Sequence, residues 1–458
     1  MSICNPSTLE AILLTFAPIF TDPSSVNFAA LVHGWILAGH RGTVSKAIRA
    51  AGELAPKHFS AYYRFFSRAR WSRDSLGLAL LPLILQLTPS GAVALIVDDT
   101  LTRKGGRHIW GANMHHDPLH WMCKALAFGH NWVVLAVLVE LPLVERPVAV
   151  PFLLRLYRSK KKRKGKNAQG RSERKAVGVP TDAEYRTRPQ LAVEMLKIAR
   201  NAIPVDRKVH LLGDSAYGGK SISRELPDTT DLTSRMCMTA ALYEKAPPRK
   251  KGQKGRARVK GRRLPSPQKM TKSKTGWKKA KANLYGKVVP ILYKQVRALW
   301  YNSAGSRLLN IVVVRDPTGR RKDDCFFSTD LSLSAVTILE LYANRWSLEV
   351  AFRDIKQFLG LEGPQSRTEG AVNRTVPFIC ALYAIVVVWF GQQGHRLYKT
   401  KTFNIGAWYT QKKTPSFEDM LRTLRLQLLR ECFFATPLVS RGQQKLSKAP
   451  MALLRLVA

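Results

Sequence analysis

The chain has 458 residues, enough for several domains or for one large core with insertions. Its 74 lysines and arginines against 31 aspartates and glutamates give a formal net charge of +43, which makes a polyanion the expected partner. A hydrophobic content of 45% excludes a disordered basic tail protein, so the charge belongs to a folded body.

The cysteines and the apolar segments bear on the compartment of the protein. The six cysteines form no CxxC pair and no compact disulfide pattern, which favours a reducing cytoplasm. The N-terminus lacks a basic segment followed by an apolar run, so no secretion signal is expected. The longest apolar segment, 376–390, is shorter than the roughly 20 residues of a membrane span. We therefore predict a core helix there and no membrane partner.

Residues 1–90 have a helical pattern. Thr43–Gly52 predicts a short helix that ends at glycine, and His58–Trp71 begins another helix after a proline-containing turn. Two helices joined in this way are compatible with a helix-turn-helix that reads DNA, and Arg64 and Arg68 would remain available on the second helix. An ordinary helical bundle with a basic surface fits the same pattern.

Two apolar segments stop abruptly at aspartates. The segment 92–100 ends in Asp98, Asp99 and a threonine, and the segment 208–219 contains an apolar run followed by Gly-Asp214. Both are predicted to be buried strands with acids at the C-terminal edge, where ligands and catalytic groups collect in α/β sheets. Either segment alone is weak support, since an aspartate at a strand end is usually a cap or turn residue.

A histidine-rich piece follows the first acidic strand. The turn 102–108 is basic and contains glycines, and 108–130 contains five histidines and one cysteine. A zinc site is conceivable because histidine and cysteine are borderline-soft ligands. The spacings fit no standard zinc finger, so we favour hairpin packing or DNA contact.

Two positive segments interrupt the predicted strands and helices. Eleven of the twenty-one residues in 155–175, and seventeen of the forty-four in 244–287, are lysine or arginine. Neither segment has a continuous apolar face, so each is predicted to be a loop that attracts phosphate without sequence preference. Apolar runs between 288 and 314 predict strands, which makes 244–330 a basic β-rich insertion.

A predicted helix over 342–356 carries an unusual polar stripe. At 100° per residue, five polar residues fall within an arc of roughly 80°. They are Tyr342, Arg345, Glu349, Arg353 and Lys356. A second polar face lies opposite, although a surface helix needs only one. The stripe is either a solvated face with i,i+4 charge pairs or a carboxylate among three cations, where a metal and a phosphate could meet.

The last part of the chain, 396–458, is predicted to be a basic connector followed by a helix. In the connector, Trp408 and Tyr409 could stack on bases or simply pack. Residues 416–430 predict a well-capped amphipathic helix, which could pack on its own core or on a second protomer.

The spacing Tyr342-x2-Arg345-x3-Glu349-x6-Lys356 resembles the Tyr-Arg-Glu-Lys (YREK) signature of bacterial insertion-sequence DDE transposases. In that family the glutamate is the third acid of the catalytic triad. The resemblance extends from the basic helical region near Arg41 to the helix after residue 415.

The two aspartate strands match the same family less specifically. The first acid typically precedes a threonine, as Asp99 precedes Thr100, and the second follows an apolar strand, as Asp214 does. The adjacent acids Asp98 and Asp99 leave the first ligand ambiguous, and the threonine makes Asp99 the preferred one. The resemblance implies that Asp99, Asp214 and Glu349 hold two Mg²⁺ or Mn²⁺ ions.

The resemblance also implies a fold and an activity. The expected fold is an RNase H-like α/β core over 91–243 and 331–395, interrupted by the insertion, with a helical N-terminal DNA-binding region and a helical C-terminal region. The expected activity is cleavage of double-stranded DNA at the element ends and strand transfer into target DNA, with two subunits acting on paired ends in the bacterial nucleoid. Contacts to DNA would come from Tyr342, Arg345, Lys356 and Arg353. A nuclease that cuts without joining, and an inactive transposase-derived DNA-binding protein, are the alternatives.

Overall fold

A computed structural model describes residues 8–39, 42–106, 108–116, 126–160, 177–249, 255–399 and 414–435. Most of the first basic segment, two members of the histidine-rich piece, His120 and Cys123, and the connector aromatics Trp408 and Tyr409 lie outside the described residues.

The described residues before 90 form five helices. They are α1 Thr8–Leu14, α2 Asp22–Leu37, α3 Val44–Ala51, α4 Phe59–Ser67 and α5 Arg73–Leu85. The caps explain two of the boundaries, because the hydroxyl of Thr43 accepts a hydrogen bond from the N–H of Lys46 and that of Ser72 accepts from the N–H of Asp74. Buried aromatic rings hold these helices together, among them the stacked pair Phe65 and Trp71.

The described strands form one mixed sheet. They are β1 Val93–Arg103, β2 Asn113–His116, β3 Leu126–Val139, β4 Val148–Tyr157, β5 Val209–Gly213, β6 Thr230–Arg235, β7 Lys278–Leu284, β8 Lys287–Leu299, β9 Leu308–Arg315 and β10 Asp324–Ser328. Their order is β2-β3-β1-β5-β6-β10-β9-β8-β7, and β4 also pairs with β3. The pairs β1–β5 and β5–β6 are parallel, and the other pairs are antiparallel.

Strands β1 and β5 occupy the two segments that were predicted from their apolar runs. Both are buried on both faces, as expected for parallel neighbours inside an α/β protein. Their register ends with Val97 opposite Gly213, so the acids that follow these residues lie where the parallel pairing ends. Strand β1 does not stop at its acids as predicted, because it stays paired with β3 as far as Arg103.

The remaining described helices lie after β4. They are α6 Arg188–Ala202, α7 Lys220–Ser223, α8 Pro267–Lys272, α9 Tyr301–Ala304, α10 Ala335–Asn344, α11 Trp346–Phe358, α12 Glu369–Trp389, α13 His395–Lys399 and α14 Phe417–Ala435. The single helix predicted over 342–356 is two helices that meet at Arg345. There the backbone tightens, since the N–H of Arg345 bonds to the carbonyl of Tyr342 and the N–H of Leu348 to the carbonyl of Arg345.

Helix α12 lies in the core, as predicted for the longest apolar segment. Within the described residues, one helical stretch, Glu369–Tyr398, is long and apolar enough to cross a membrane, but 83% of its most apolar window is buried inside the protein. It packs against β4, α4 and α5. A continuous apolar surface of this kind is what a helix surrounded by other elements requires.

Strands of the predicted insertion continue the main sheet. The hairpin β7–β8 pairs with β9, and β10 pairs with both β9 and β6. Helix α10 covers this part through a small cluster that includes Ile291, Val312, Phe326 and Ile338. The apolar run 298–301 was predicted to be strand, but β8 ends at Leu299 and Tyr301 begins helix α9.

The buried histidine His130 makes the stability of the fold depend on pH. Burial lowers the pKa of His130 to about 4 from its ordinary value of 6.5, and its ring bonds to the carbonyl oxygen of Trp110 at 2.8 Å. The folded protein therefore keeps this ring neutral, whereas the unfolded chain protonates it below pH 6.5. Its contribution to the free energy of unfolding is complete above pH 6.5 and is lost as the pH falls towards 4.

We expect His130 to remove on the order of 2 kcal/mol from the free energy of unfolding between pH 7.5 and pH 5. Urea unfolding of the wild type and of His130→Gln at both pH values measures this. The variant keeps a donor for the Trp110 carbonyl but does not titrate, so its loss should be smaller by that amount. An identical loss in both proteins would contradict the prediction.

Candidate active site

Asp98 and Asp99 point to opposite faces of β1, because successive side chains of a strand alternate. Asp98 is 14% exposed and contacts Arg345 at the start of α11. Asp99 is 20% exposed and contacts Arg188 at the start of α6. The two neighbouring acids therefore belong to different surroundings, a distinction that the sequence left open.

One guanidinium links two of the candidate acids. Nη1 of Arg345 lies 2.5 Å from Oδ2 of Asp98, and Nη2 lies 2.7 Å from Oε1 of Glu349. The Arg345 side chain is only 15% exposed, so these are charge-assisted hydrogen bonds with little competition from water. Strand β1 and helix α11, which are 247 residues apart along the chain at this contact, are joined here.

Asp214 completes the group. It directly follows Gly213, the partner of Val97, and is therefore next to Asp98 across the parallel pair. Burial raises the pKa of Asp98 to about 7; the positive charge of Arg345 lowers it, and the negative charges of Asp214 and Asp99 raise it. Asp98 thus has Arg345, which also holds Glu349, on one side and Asp214 on the neighbouring strand.

The other members of the polar stripe differ in position. The ring of Tyr342 packs against Phe326, with centroids 4.6 Å apart, and Arg345 lies over the same ring at 5.7 Å. Burial raises the pKa of Tyr342, so its phenol stays protonated. The ammonium of Lys356 donates to the carbonyl of Leu101 on β1 at 2.8 Å.

Arg353 pairs with its neighbour Asp354 and not with the candidate catalytic acids. Its guanidinium donates to Asp354 at 2.9 and 3.1 Å, and its side chain is 67% exposed. Arg64 and Arg68 are also elsewhere, exposed on or next to α4 among the N-terminal helices. Beside them, Phe59 and Tyr63 present 59% and 46% of their surface to solvent.

The donor chemistry of the three acids suits a hard divalent ion better than zinc. Among the described residues, however, no three histidine, cysteine, aspartate or glutamate side chains lie close enough together to hold a metal ion. Arg345 takes one oxygen each from Asp98 and Glu349. A divalent ion and this guanidinium would compete for the same carboxylates.

The histidine-rich piece is only partly described. His130 bonds to a backbone carbonyl, and burial lowers the pKa of His115 to about 4. Both of these side chains are buried, whereas His108 and His116 are exposed. The hairpin, DNA-contact and zinc interpretations of this piece stay predictions.

Asp99 has three neighbours that the sequence did not suggest. Tyr217 donates its hydroxyl to Oδ1 at 3.0 Å, Asn131 donates its amide to Oδ2 at 2.7 Å, and Arg188 lies 3.7 Å from Oδ2. The contact of Tyr217 with Asp99 spans 118 residues of the chain, so the sequence carried little signal for it.

A second group that the sequence did not suggest is aromatic. Trp346, which follows Arg345, is 47% exposed, and Tyr285 at the tip of the β7–β8 hairpin is 46% exposed. Their rings meet edge to face with centroids 6.3 Å apart. The insertion therefore reaches the helix that carries Glu349 and leaves aromatic surface beside it.

Comparisons with known proteins identify the family of the chain. A model of the DDE superfamily endonucleases matches residues 15–286, more than half of the chain. The chain belongs to the DDE endonuclease superfamily. Enzymes of this superfamily use divalent metal ions. The matched segment contains the aspartates on β1 and after β5.

A second family model, described as the archaeal putative transposase ISC1217, matches residues 302–389, which contain Glu349. These matches support a DDE transposase. The search of solved structures found similarity to the cryo-EM structure of the piggyBac transposase synaptic complex with hairpin DNA, at 8% identity and a TM-score of 0.39, over 94% of this chain and 76% of that chain. No curated protein matched the chain.

The bridge between Asp98 and Arg345 should appear as a coupling energy. In a double-mutant cycle with Asp98→Asn and Arg345→Met, we expect a coupling of about 1–3 kcal/mol in the free energy of unfolding, because each single variant strands a partly buried partner. Urea unfolding at pH 8 without added metal measures it. The matched control is Arg353→Met with Asp354→Asn, where the arginine is mostly exposed, and its coupling should be smaller. Equal couplings would argue against the bridge.

Proposed function

We propose that this DDE-superfamily protein is a transposase of the Tyr-Arg-Glu-Lys group of bacterial insertion sequences. It would cut double-stranded DNA at the element ends and join the freed 3′-OH to target DNA. The observation that carries the proposal is that Arg345 bridges Asp98 and Glu349, while the negative charge of Asp214 acts on Asp98 from the neighbouring strand.

The catalytic acids of this proposal are Asp98, Asp214 and Glu349, with Asp98 in place of the Asp99 preferred from the sequence. That preference depended on the neighbouring threonine alone. Asp98 faces Arg345 and α11, whereas Asp99 faces Arg188 and α6, away from Glu349. The first acid can share a metal ion with Glu349 only if it lies on the face of β1 that looks towards α11. Asp98 lies on that face.

The three acids would hold two Mg²⁺ or Mn²⁺ ions, which when bound supply an activated attacking oxygen and stabilise the leaving oxygen of an in-line displacement. If Asp98 and Glu349 bind metal ions instead of Arg345, its planar guanidinium would be suited to bidentate contact with the phosphate next to the scissile bond. The packed ring of Tyr342 keeps that guanidinium at the site. Lys356 lies where β1 ends and adds a second positive charge.

An RNase H-like core over 91–243 and 331–395 is the fold that we propose around this site. Its support is the order of strands, in which the antiparallel group β4-β3-β1 is followed by β5 and β6, both running parallel to β1. Asp98 on β1 and Asp214 after β5 would then lie on the side of the sheet where Arg345 holds Glu349 of α11. The insertion 244–330 would be an addition at the far edge, which leaves the acidic edge intact.

Several surfaces would bind DNA. The exposed side of α4, with Arg64 and Arg68, would read the element ends, and Trp346 with Tyr285 would offer stacking surface at the site of cleavage. Arg353, which is mostly exposed, would contact the phosphate backbone. Two subunits would act on paired ends in the nucleoid.

The activity is tested by incubating the purified protein and Mg²⁺ with the DNA that flanks its own gene, and by mapping new 3′ ends and joined products. We expect cuts at paired inverted repeats, followed by joining. Asp98→Asn and Glu349→Gln should each abolish cleavage while DNA affinity changes less than about threefold, since only the reacting centre is altered. The control Glu225→Gln, a surface acid paired with Lys197, should cut normally.

Cleavage without joined products would make the protein a nuclease. Selective binding without cleavage in Mg²⁺ or Mn²⁺ would make it an inactive DNA-binding protein. Wild-type cleavage by Glu349→Gln would show that the assignment of the third acid is wrong.

The basic edge of the sheet gives a prediction about salt. Lys278, Lys279 and Lys281 on β7 are exposed. Replacing all three with glutamine should weaken binding to every DNA sequence alike and reduce the slope of log affinity against log salt by about 1–3, since each phosphate contact contributes about 0.9. Fluorescence anisotropy with specific and scrambled duplexes measures this. A loss restricted to the terminal sequence would contradict a nonspecific role.

A further inference from the structure

The second acid lies in a tight turn that is tied to β1. The carbonyl of Asp214 accepts a hydrogen bond from the N–H of Tyr217 at 3.0 Å and from the hydroxyl of Ser234 at 2.8 Å. Its carboxylate accepts from the N–H of Ala216 at 2.9 Å. The turn therefore fixes the backbone of Asp214 from two sides and also orients its side chain.

Tyr217 connects this turn to the first strand. Its side chain is fully buried, and burial, together with the charge of Asp99, raises the pKa of its phenol, so the hydroxyl remains a donor. That hydroxyl donates to Oδ1 of Asp99 at 3.0 Å. Oδ2 of the same carboxylate accepts from Asn131 on β3 at 2.7 Å. Asp99 thus joins the turn after β5 to β1 and β3.

Gly213 allows the ring to approach the strand closely. A Cβ atom at this position would lie 2.8 Å from the Cβ of Tyr217, closer than real Cβ atoms come. The absence of a side chain at Gly213 lets the tyrosine fold back under the strand end and reach Asp99. The hydrogen bonds of Tyr217 and the absence of a Cβ atom at Gly213 therefore fix the same turn.

We infer that Asp99 is a positioning residue, which with Tyr217 holds the turn that carries Asp214 against β1 so that Asp214 stays beside Asp98. The inference rests on the proposed function, because it assigns Asp98 and Asp214 to one metal site. It gives the two adjacent aspartates of β1 separate roles. Asp98 is the ligand, and Asp99 fixes the second ligand from the opposite face of the strand.

The test compares Tyr217→Phe with Tyr62→Phe. Tyr62 is also fully buried, and its hydroxyl also has one partner, the N–H of Lys57 at 3.3 Å, but it lies on α4. The first measurement is the Mn²⁺ concentration that gives half-maximal DNA cleavage. The second is Mn²⁺ binding without DNA, followed by electron paramagnetic resonance of the free ion. Thermal unfolding and DNA affinity are measured for each protein.

Tyr217→Phe should raise the half-saturating Mn²⁺ concentration about 10-fold or more, as loss of a group that orients a ligand does, and weaken direct Mn²⁺ binding to match. At saturating Mn²⁺ most of the cleavage rate should return. Tyr62→Phe should leave the Mn²⁺ dependence unchanged even if it lowers thermal stability as much. A normal Mn²⁺ dependence in Tyr217→Phe would overturn the inference.

Asp99→Asn provides a second variant, because asparagine has no charge and only one acceptor oxygen in place of the two that bind Tyr217 and Asn131. We expect a raised Mn²⁺ requirement with cleavage recovered at saturation, whereas Asp98→Asn should not recover at any Mn²⁺ concentration. Loss of cleavage at all Mn²⁺ concentrations in Asp99→Asn would make Asp99 a ligand and overturn the inference. If the wild type neither cuts DNA nor binds Mn²⁺ better than Asp98→Asn, the proposed function itself fails. A wild type that cuts, with a normal Tyr217→Phe, rejects the positioning role alone.

Discussion

The contact on which the site depends is the guanidinium of Arg345 between Asp98 and Glu349. Carboxylates that converge at a half-buried edge repel one another, and burial disfavours their charged forms. One cation shared by the two acids offsets this and also fixes α11 against β1. In the proposed function this counter-charge would keep Asp98 and Glu349 together before metal ions bind, and the same arginine would contact a phosphate once it is displaced.

The sheet supplies the rest of the constraint. The parallel register of β1 and β5 brings the acids after Val97 and Gly213 to one edge, although they are more than a hundred residues apart in sequence. The strands of the predicted insertion pair on the far side of β6, away from that edge. The formal net charge of +43 favours association with a polyanion, whereas the acids of the site suit cations.

Much of this could be predicted from the sequence, for identifiable reasons. Apolar runs that end in acids located β1 and β5, and the helical spacing located Glu349 and Arg345. The choice between Asp98 and Asp99 could not be predicted. The strand pattern shows that the two side chains lie on opposite faces, but not which face α11 covers. The break between α10 and α11, and the return of Tyr217 to β1, depend on tertiary contacts that leave little local signal. Which acids act in catalysis, and the domain boundaries, stay predictions.

The most direct test of the account is the crystal structure of the protein soaked in Mn²⁺, with the ions located by anomalous scattering. The account predicts Mn²⁺ bonded to oxygens of Asp98, Asp214 and Glu349, with the Arg345 guanidinium moved off the carboxylates and Asp99 still bonded to Tyr217. Mn²⁺ bonded to Asp99, or no Mn²⁺ at the three acids in crystals that hold it elsewhere, would contradict it.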